Sequence, residues 1–220
     1  MMKYMPTNVP EVDKWTEVSL VYNAALSQME TRLKVLNDEF QLAHKYNPIE
    51  HIKCRMKTPE SIVKKLKGDG YETTIENMVE HVNDIAGIRV ICSFTSDIYR
   101  IAEMITSQSD IDVILVKDYL KHPKQSGYQS YHMIVTVPIY LSSRTVEVKV
   151  EIQIRTVAQD FWASLEHKIK YKFEGNAPQY IKQSLIDCAQ MVSALDDEML
   201  RLNEEIQKLT DEQKNASHPC

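Results

Sequence analysis

The chain has 220 residues, 43% of them hydrophobic and 26% charged, with a net charge of −5. That is the composition of an ordinary globular protein, long enough to bury a core without staples. The acidic balance argues against a global DNA binder. Glycine is scarce, with only 5 residues where an average usage near 7% would supply roughly 15. No GxxxxGKS/T and no GxGxxG occurs, which excludes the P-loop and the dinucleotide fingerprint. Any phosphate must therefore be held by side chains. The cysteines, Cys54, Cys92, Cys188 and Cys220, are far apart and form no CxxC. They read as free thiols of a reducing compartment, without zinc or a disulfide framework. The first residues lack an apolar signal core, and no apolar run approaches 18 residues. A cytoplasmic protein without a membrane anchor is expected.

From residue 11 to 45, Trp15, Val18, Tyr22, Leu26, Met29, Leu33, Leu36 and Phe40 recur at helical spacing, and Asn47-Pro48 ends the pattern. Ile49 to Lys57 reads as extended. Thr58-Pro59 is a helix start, with Thr as N-cap and Pro at N1, and the helix stops near Gly68 and Gly70. A short helix is expected near Ile75–His81, a buried strand over 85–94, a helix over 96–107 and a strand over 111–116. Residues 118–127 form a polar loop. Tyr128 to Val137 and Thr145 to Ile154 read as a hairpin, because the connection is too short for a crossover. Thr156 to about Phe173 is helical, and Glu174-Gly175-Asn176 breaks it.

The last helix starts near Pro178. Ile181, Leu185, Cys188, Val192, Leu195, Met199, Leu202, Ile206 and Leu209 form a strict heptad seam. The seam packs either on the N-terminal helix of its own chain or on a partner subunit. The expected class is α/β (α+β): a mixed sheet flanked by helices. The expected divisions are a helical segment at 1–46, a core at 47–175, a heptad helix at 176–212 and a disordered tail at 213–220.

Four features point toward chemistry. Lys53, Arg55, Lys57, Lys64, Lys65 and Lys67, opposed only by Glu60, place +5 on residues 53–67 of an acidic chain. Such a patch suits a polyphosphate or a nucleic-acid backbone, although a solvated helix face would look similar. In TVEVKVEIQIRT, Glu147, Lys149, Glu151, Gln153 and Arg155 alternate with Val and Ile. This is either an exposed sheet face or a place for a metal and a nucleotide. Tyr128, Ser130 and His132 share one face of a strand after a basic loop, an arrangement open to base stacking or to simple packing. Asp84 opens a strand in which Arg89 needs a partner or a function.

RMKTPESIVKKL (55–66), DIAGIRV (84–90), DY…K…SGYQSYH (118–132), EIQIRT (151–156) and FWASLEHKIKYK (161–172) occur in this order. Together they resemble the RelA/SpoT-type (p)ppGpp synthetase domain over roughly residues 45–175. The flanking helices resemble the small alarmone synthetases, the single-domain GTP pyrophosphokinases. The long relatives add a hydrolase domain with a His-Asp metal motif, and this chain has no His-Asp dipeptide.

The resemblance implies a nucleotidyltransferase-like fold and transfer of the β,γ-pyrophosphate of ATP to the ribose 3′-OH of GDP or GTP, with Mg²⁺. It implies adenine stacking by Arg55 and Arg89, and ATP phosphate contacts from Lys57, Ser61 and Lys65. It assigns Asp84 and Glu151 to the metal, with Glu151 activating the 3′-OH. On the acceptor side it places guanine stacking on Tyr128, phosphate or ribose contacts on Lys124 and His132, and further contacts on Gln153, Arg155, Asp160 and Glu166. Three positions depart from the family pattern: Gly68 and Gln129 stand where arginines are frequent, and Asp160 where some members have Asn. The resemblance also implies a homo-oligomer, often a tetramer, open to regulation by pppGpp or single-stranded RNA. Alternatives are the same transfer to a tRNA 3′-CCA end or an adenosine nucleotide, and a non-catalytic nucleotide or RNA sensor.

Overall fold

The computed structural model describes residues 9–172 and 177–216. Its elements are α1 (Val9–His44), β1 (Ile49–Met56), α2 (Pro59–Gly68), α3 (Ile75–His81), β2 (Ala86–Cys92), α4 (Thr95–Thr106), β3 (Asp112–Asp118), β4 (Tyr131–Tyr140), β5 (Thr145–Thr156), α5 (Val157–Lys172) and α6 (Gln179–Ala216). Local chemistry sets several boundaries. Lys45 takes a left-handed φ of 62° at the end of α1. Thr58 caps α2 by accepting from the Ser61 N–H at 3.3 Å, with Pro59 in the first turn. The expected break at Glu174–Asn176 lies outside the described residues.

The five strands form one sheet in the order β1-β2-β5-β4-β3. The central β2–β5 pair is parallel and the other three pairs are antiparallel, so the sheet is mixed, as expected. Ile88 and Val90 of β2, Val150, Ile152 and Ile154 of β5, and Met133 and Val135 of β4 are buried. They meet Tyr22, Ala25, Met29 and Leu33 of α1 and Ile98, Ile101 and Ile105 of α4 in one core. Burying each aliphatic side chain contributes about 1.5–3 kcal/mol. The N-terminal helix thus supplies part of the core that positions the strands.

β4 starts at Tyr131 rather than at Tyr128. The preceding segment turns instead. Gly127 has a φ of 85° and donates to the Lys124 carbonyl at 2.8 Å, while the Lys124 N–H donates to Tyr128 O at 3.1 Å. Tyr128 therefore lies on a loop. Ser130 is fully buried and donates to Ile154 O, so it does not share an open face with Tyr128 and His132.

α6 packs on α5 and α4, not along α1. The covered side carries Leu185, Ala189, Val192 and Asp196. Part of the heptad seam is left outside, with Leu195 54%, Ile206 62% and Leu209 53% exposed. The covered side shares Leu185 and Val192 with the seam but runs through Ala189 and Asp196 in place of Cys188 and Leu195, which periodicity does not foretell. α6 also continues to Ala216, past the expected end at 212, because no Gly or Pro interrupts it there. Residues 217–220 of the expected tail lie outside the described residues. No described helix is long and apolar enough to cross a membrane.

Asp196 is 6% exposed and accepts from the Thr156 hydroxyl at 2.7 Å. Burial pushes its carboxyl up to about 6, with the Asp197 charge adding and the Thr156 hydrogen bond opposing. The folded state therefore holds a proton that the unfolded chain releases near pH 3.8, so this group's contribution to stability falls as pH rises from about 4 through 6. Asp196→Asn is expected to stabilise the fold by roughly 1–3 kcal/mol at pH 8 and to leave it unchanged at pH 4, read as Tm by calorimetry.

Candidate active site

The face of the sheet opposite α1 carries the charges. Register places Lys53 beside Arg89, Arg55 beside Gly87, Gly87 beside Glu151, Arg89 beside Gln153, and Gln153 beside His132. Registered partners point the same way. A cleft of about 200 Å³ opens over them, lined by Lys53, Arg55, Gly87, Arg89, Glu151 and Gln153. The Arg55 side chain lies over Gly87, its Cγ at ordinary contact distance, 3.6 Å, from where a Cβ would stand. Arg55 and Arg89 thus stand diagonally on neighbouring strands in one cleft.

At one end, Lys57 and Lys65 converge on Asp84. Their ammonium nitrogens reach its two carboxylate oxygens at 2.6 and 2.8 Å. Lys57 is placed by its backbone N–H, which donates to Ile85 O, and Lys65 by α2. Burial works to raise the Asp84 carboxyl, but the two lysines outweigh it and hold the group below its ordinary value. Ser61 lies in the first turn of α2, where its hydroxyl oxygen accepts from Thr58 Oγ1 at 3.0 Å.

At the centre, Glu151 accepts from Gln153 Nε2 at 2.9 Å and lies 3.5 Å from His132 Nδ1. Burial works to raise its carboxyl too, but His132 and Gln153 bring the net shift below the ordinary value. The Asp84 charge acts in the opposite sense on Glu151, so the two carboxylates feel one another across the face. Among the described residues, no group of three or more His, Cys, Asp or Glu is placed to hold a metal. Two carboxylates nonetheless suit Mg²⁺, which completes its octahedron with water and substrate phosphate oxygens. Asp84 and Glu151 are the carboxylates on this face that could hold it.

At the other end, the Tyr128 hydroxyl lies 2.8 Å from His132 Nε2 and accepts from Arg155 Nη2 at 2.8 Å. Lys124 Nζ lies 5.0 Å from the Tyr128 ring centre and the Arg155 guanidinium 5.3 Å from it. Burial raises the Tyr128 phenol, with Arg155 opposing. Asp160, from the first turn of α5, faces Arg89 at 3.2 Å, Arg155 at 3.6 Å and Lys53 at 3.6 Å. The Nε atoms of Arg89 and Arg155 are buried without a hydrogen-bond partner among the described residues, so both keep donor capacity. Burial pulls Arg155 below its ordinary value.

Most of the sequence-derived residues fall on one surface, with Ser61 at the α2 cap beside it and Glu166 buried on α5. Arg55, Lys57, Lys65, Asp84 and Arg89 form one side, with Glu151 and Gln153 central. Lys124, Tyr128, His132, Arg155 and Asp160 form the other side. Glu166 is buried on α5, four residues beyond Trp162 and about a third of a turn around the helix from Asp160. Lys53, read from the sequence only as part of the basic cluster, pairs with Asp160. One contributor lies outside the sequence-derived set. Tyr119 packs edge-on to both Tyr128 and His132 and sits under Lys124 at 4.7 Å, which only the folded loop reveals.

Comparison with known proteins identifies the family. The family described as the region found in RelA / SpoT proteins matches residues 54–176. The GTP pyrophosphokinase YwaC of Bacillus subtilis is 45% identical over 195 residues, 89% of this chain and 93% of that protein. The crystal structure of Bacillus subtilis small alarmone synthetase 1 bound to its product pppGpp superimposes with a TM-score of 0.80 at 34% identity, covering 88% of this chain and 98% of that one. The structure of the same synthetase bound to AMPCPP gives a TM-score of 0.75 at 32% identity, covering 89% and 99%. The family match over residues 54–176 and the 45% identity across 89% of the chain show that this chain belongs to the RelA/SpoT family.

Proposed function

We propose that this chain transfers the β,γ-pyrophosphate of ATP to the ribose 3′-OH of GDP or GTP, releasing AMP and forming ppGpp or pppGpp. The observation that carries the reading is the convergence on one sheet face of a lysine-held Asp84, an ionised Glu151 and a tyrosine–arginine cluster. The names and bound ligands of the relatives point the same way.

Arg55 and Arg89 offer planar cations to the adenine, and Lys57 and Lys65 offer charge to the triphosphate. Ser61 and the start of α2 add neutral donors near the phosphates. Glu151 takes the 3′-OH proton as the acceptor oxygen forms its bond to the β-phosphorus. The bond between that phosphorus and the bridging oxygen to the α-phosphate breaks, and AMP leaves with the electron pair. Mg²⁺ held by Asp84 and Glu151 would neutralise charge on the phosphate oxygens. Tyr128 presents a ring for the guanine, with Lys124, His132, Gln153 and Arg155 around the acceptor's sugar and phosphates. Asp160 orders the arginines. Glu166 serves as the carboxylate acceptor for the guanine edge, supported by its place on α5 next to the Trp162 cluster that packs Tyr128.

We infer that the uncovered α6 stripe of Leu195, Met199, Leu202, Ile206 and Leu209 supports assembly into a homo-oligomer, a tetramer by resemblance.

Asp84→Asn and Glu151→Gln are each expected to lower AMP formation by at least ~10²-fold with unchanged circular dichroism. Thin-layer chromatography of labelled ATP with GDP or GTP reads this, and near-normal turnover would refute the assignment. Tyr128→Ala is expected to raise the acceptor KM about tenfold or more with a much smaller effect on the ATP KM in initial-rate kinetics. Leu202→Glu combined with Leu209→Glu is expected to yield monomers or dimers in sedimentation velocity. An unchanged oligomer would exclude this stripe from the interface.

A further inference from the structure

We propose that α6 clamps the acceptor half of the cleft and that Asp196 is its positioning residue; this extends the functional reading above. The clamp begins where β5 becomes α5. Arg155 is followed directly by Thr156, and Asp160 is preceded directly by Gln159. Thr156 and Gln159 form a reciprocal cap: the Thr156 N–H donates to Gln159 Oε1 at 3.1 Å, and the Gln159 N–H donates to Thr156 Oγ1 at 3.1 Å. With an N–H arriving at its oxygen, the threonine hydroxyl has one proton left to place. It donates that proton to Asp196 at 2.7 Å. Thr156, Gln159 and Asp196 are all buried, so water is a poor substitute for the missing partner. Asp196 thus fixes the Thr156 rotamer, and through the cap it fixes the turn between Arg155 and Asp160.

The same helix reaches the other acceptor element. Gly127 lies against α6 so closely that a Cβ there would come within 2.6 Å of Ala189 Cβ. Its φ of 85° and its place directly before Tyr128 make this backbone contact a seat for the tyrosine loop. Tyr128 packs against the cluster of Trp162, Ala163 and Ala189, and the Trp162 indole N–H donates to Leu185 O on α6 at 2.9 Å. Asp196 and Ala189 are two turns apart on one stripe of α6. One grips the Arg155–Asp160 turn and the other seats the Tyr128 loop. The donor end is held differently: Lys57, Lys65 and Asp84 are positioned by β1, α2 and the start of β2. Acceptor geometry therefore depends on α6, while the donor's phosphate contacts do not; Arg89, paired with Asp160, is the one link between the two halves.

The test uses the full chain with three substitutions. Asp196→Ala removes the acceptor for the Thr156 hydroxyl, Asp196→Asn keeps it, and Ala189→Val pushes on the Gly127 backbone. Initial rates with ATP and GDP or GTP varied in turn are expected to show the acceptor KM raised at least tenfold in Asp196→Ala and Ala189→Val. The ATP KM should rise clearly less than the acceptor KM, through the Arg89–Asp160 pair alone, and Asp196→Asn should resemble the wild type. Hydrogen–deuterium exchange read by mass spectrometry is expected to speed up over residues 124–132 and 156–160 in Asp196→Ala but not in Asp196→Asn, with 55–66 unchanged. Equal rises in both KM values, or an Asp196→Asn variant as impaired as Asp196→Ala, would overturn the proposal. If Asp196→Ala fails to fold by circular dichroism, Ala189→Val decides on the same two readouts. Should the wild type transfer nothing to guanosine nucleotides, the functional reading falls. The exchange pattern then decides the clamp alone: faster exchange at 124–132 in Asp196→Ala supports it, and wild-type exchange there refutes it.

Discussion

The register of β5 is the constraint on which the molecule depends. Val148, Val150, Ile152 and Ile154 are buried against α1 and α4, while Glu147, Glu151 and Gln153 alternate with them on the other side. Side-chain period in a strand is two, so a slip of one residue would bury carboxylates in the core and expose the isoleucines. Pairing with β2 on one side and β4 on the other then carries Gly87, Arg89 and His132 to the same surface as Glu151. The hydrophobic effect, acting on one face, thereby determines the geometry of the polar one.

That polar face is held in readiness by opposite charges. Asp84 gathers two lysines, and Asp160 gathers two arginines and Lys53. Each carboxylate lowers the cost of crowding cations in a half-buried cleft, and each leaves donors that a phosphate can claim. The arrangement explains how a chain with few glycines handles polyphosphate. Where P-loop proteins use backbone N–H groups, the cations available here are side chains on β1, β2, α2 and the turn between β1 and α2.

Much of this was legible beforehand because it is local. The alternation in TVEVKVEIQIRT, the Thr58-Pro59 helix start and the order of basic and acidic motifs each follow from short-range rules, and they lead to the observed strand, cap and charged face. The errors occurred where the determinant is not local. Tyr128 read as a strand residue because an aromatic next to alternating polar residues fits β structure; the backbone turns there because Gly127 can take a positive φ. The α6 seam reads as one continuous apolar stripe, yet the chain's own contact keeps only its first part, Leu185 and Val192, and adds Ala189 against α5 and Asp196 against Thr156.

The sequence by itself determined the element order, the apolar and charged faces of β5, and the residue types that serve phosphate, metal and base, because these follow from periodicity and side-chain chemistry. Only the tertiary structure decided which of them meet. Lys53 faces Asp160 across β2, Tyr119 joins Tyr128 and His132 through a loop, and α6 grips Thr156 forty residues away in the chain. Such contacts close only when the sheet register and the helix rotation about its axis are both set, and both are properties of the packed core rather than of any segment.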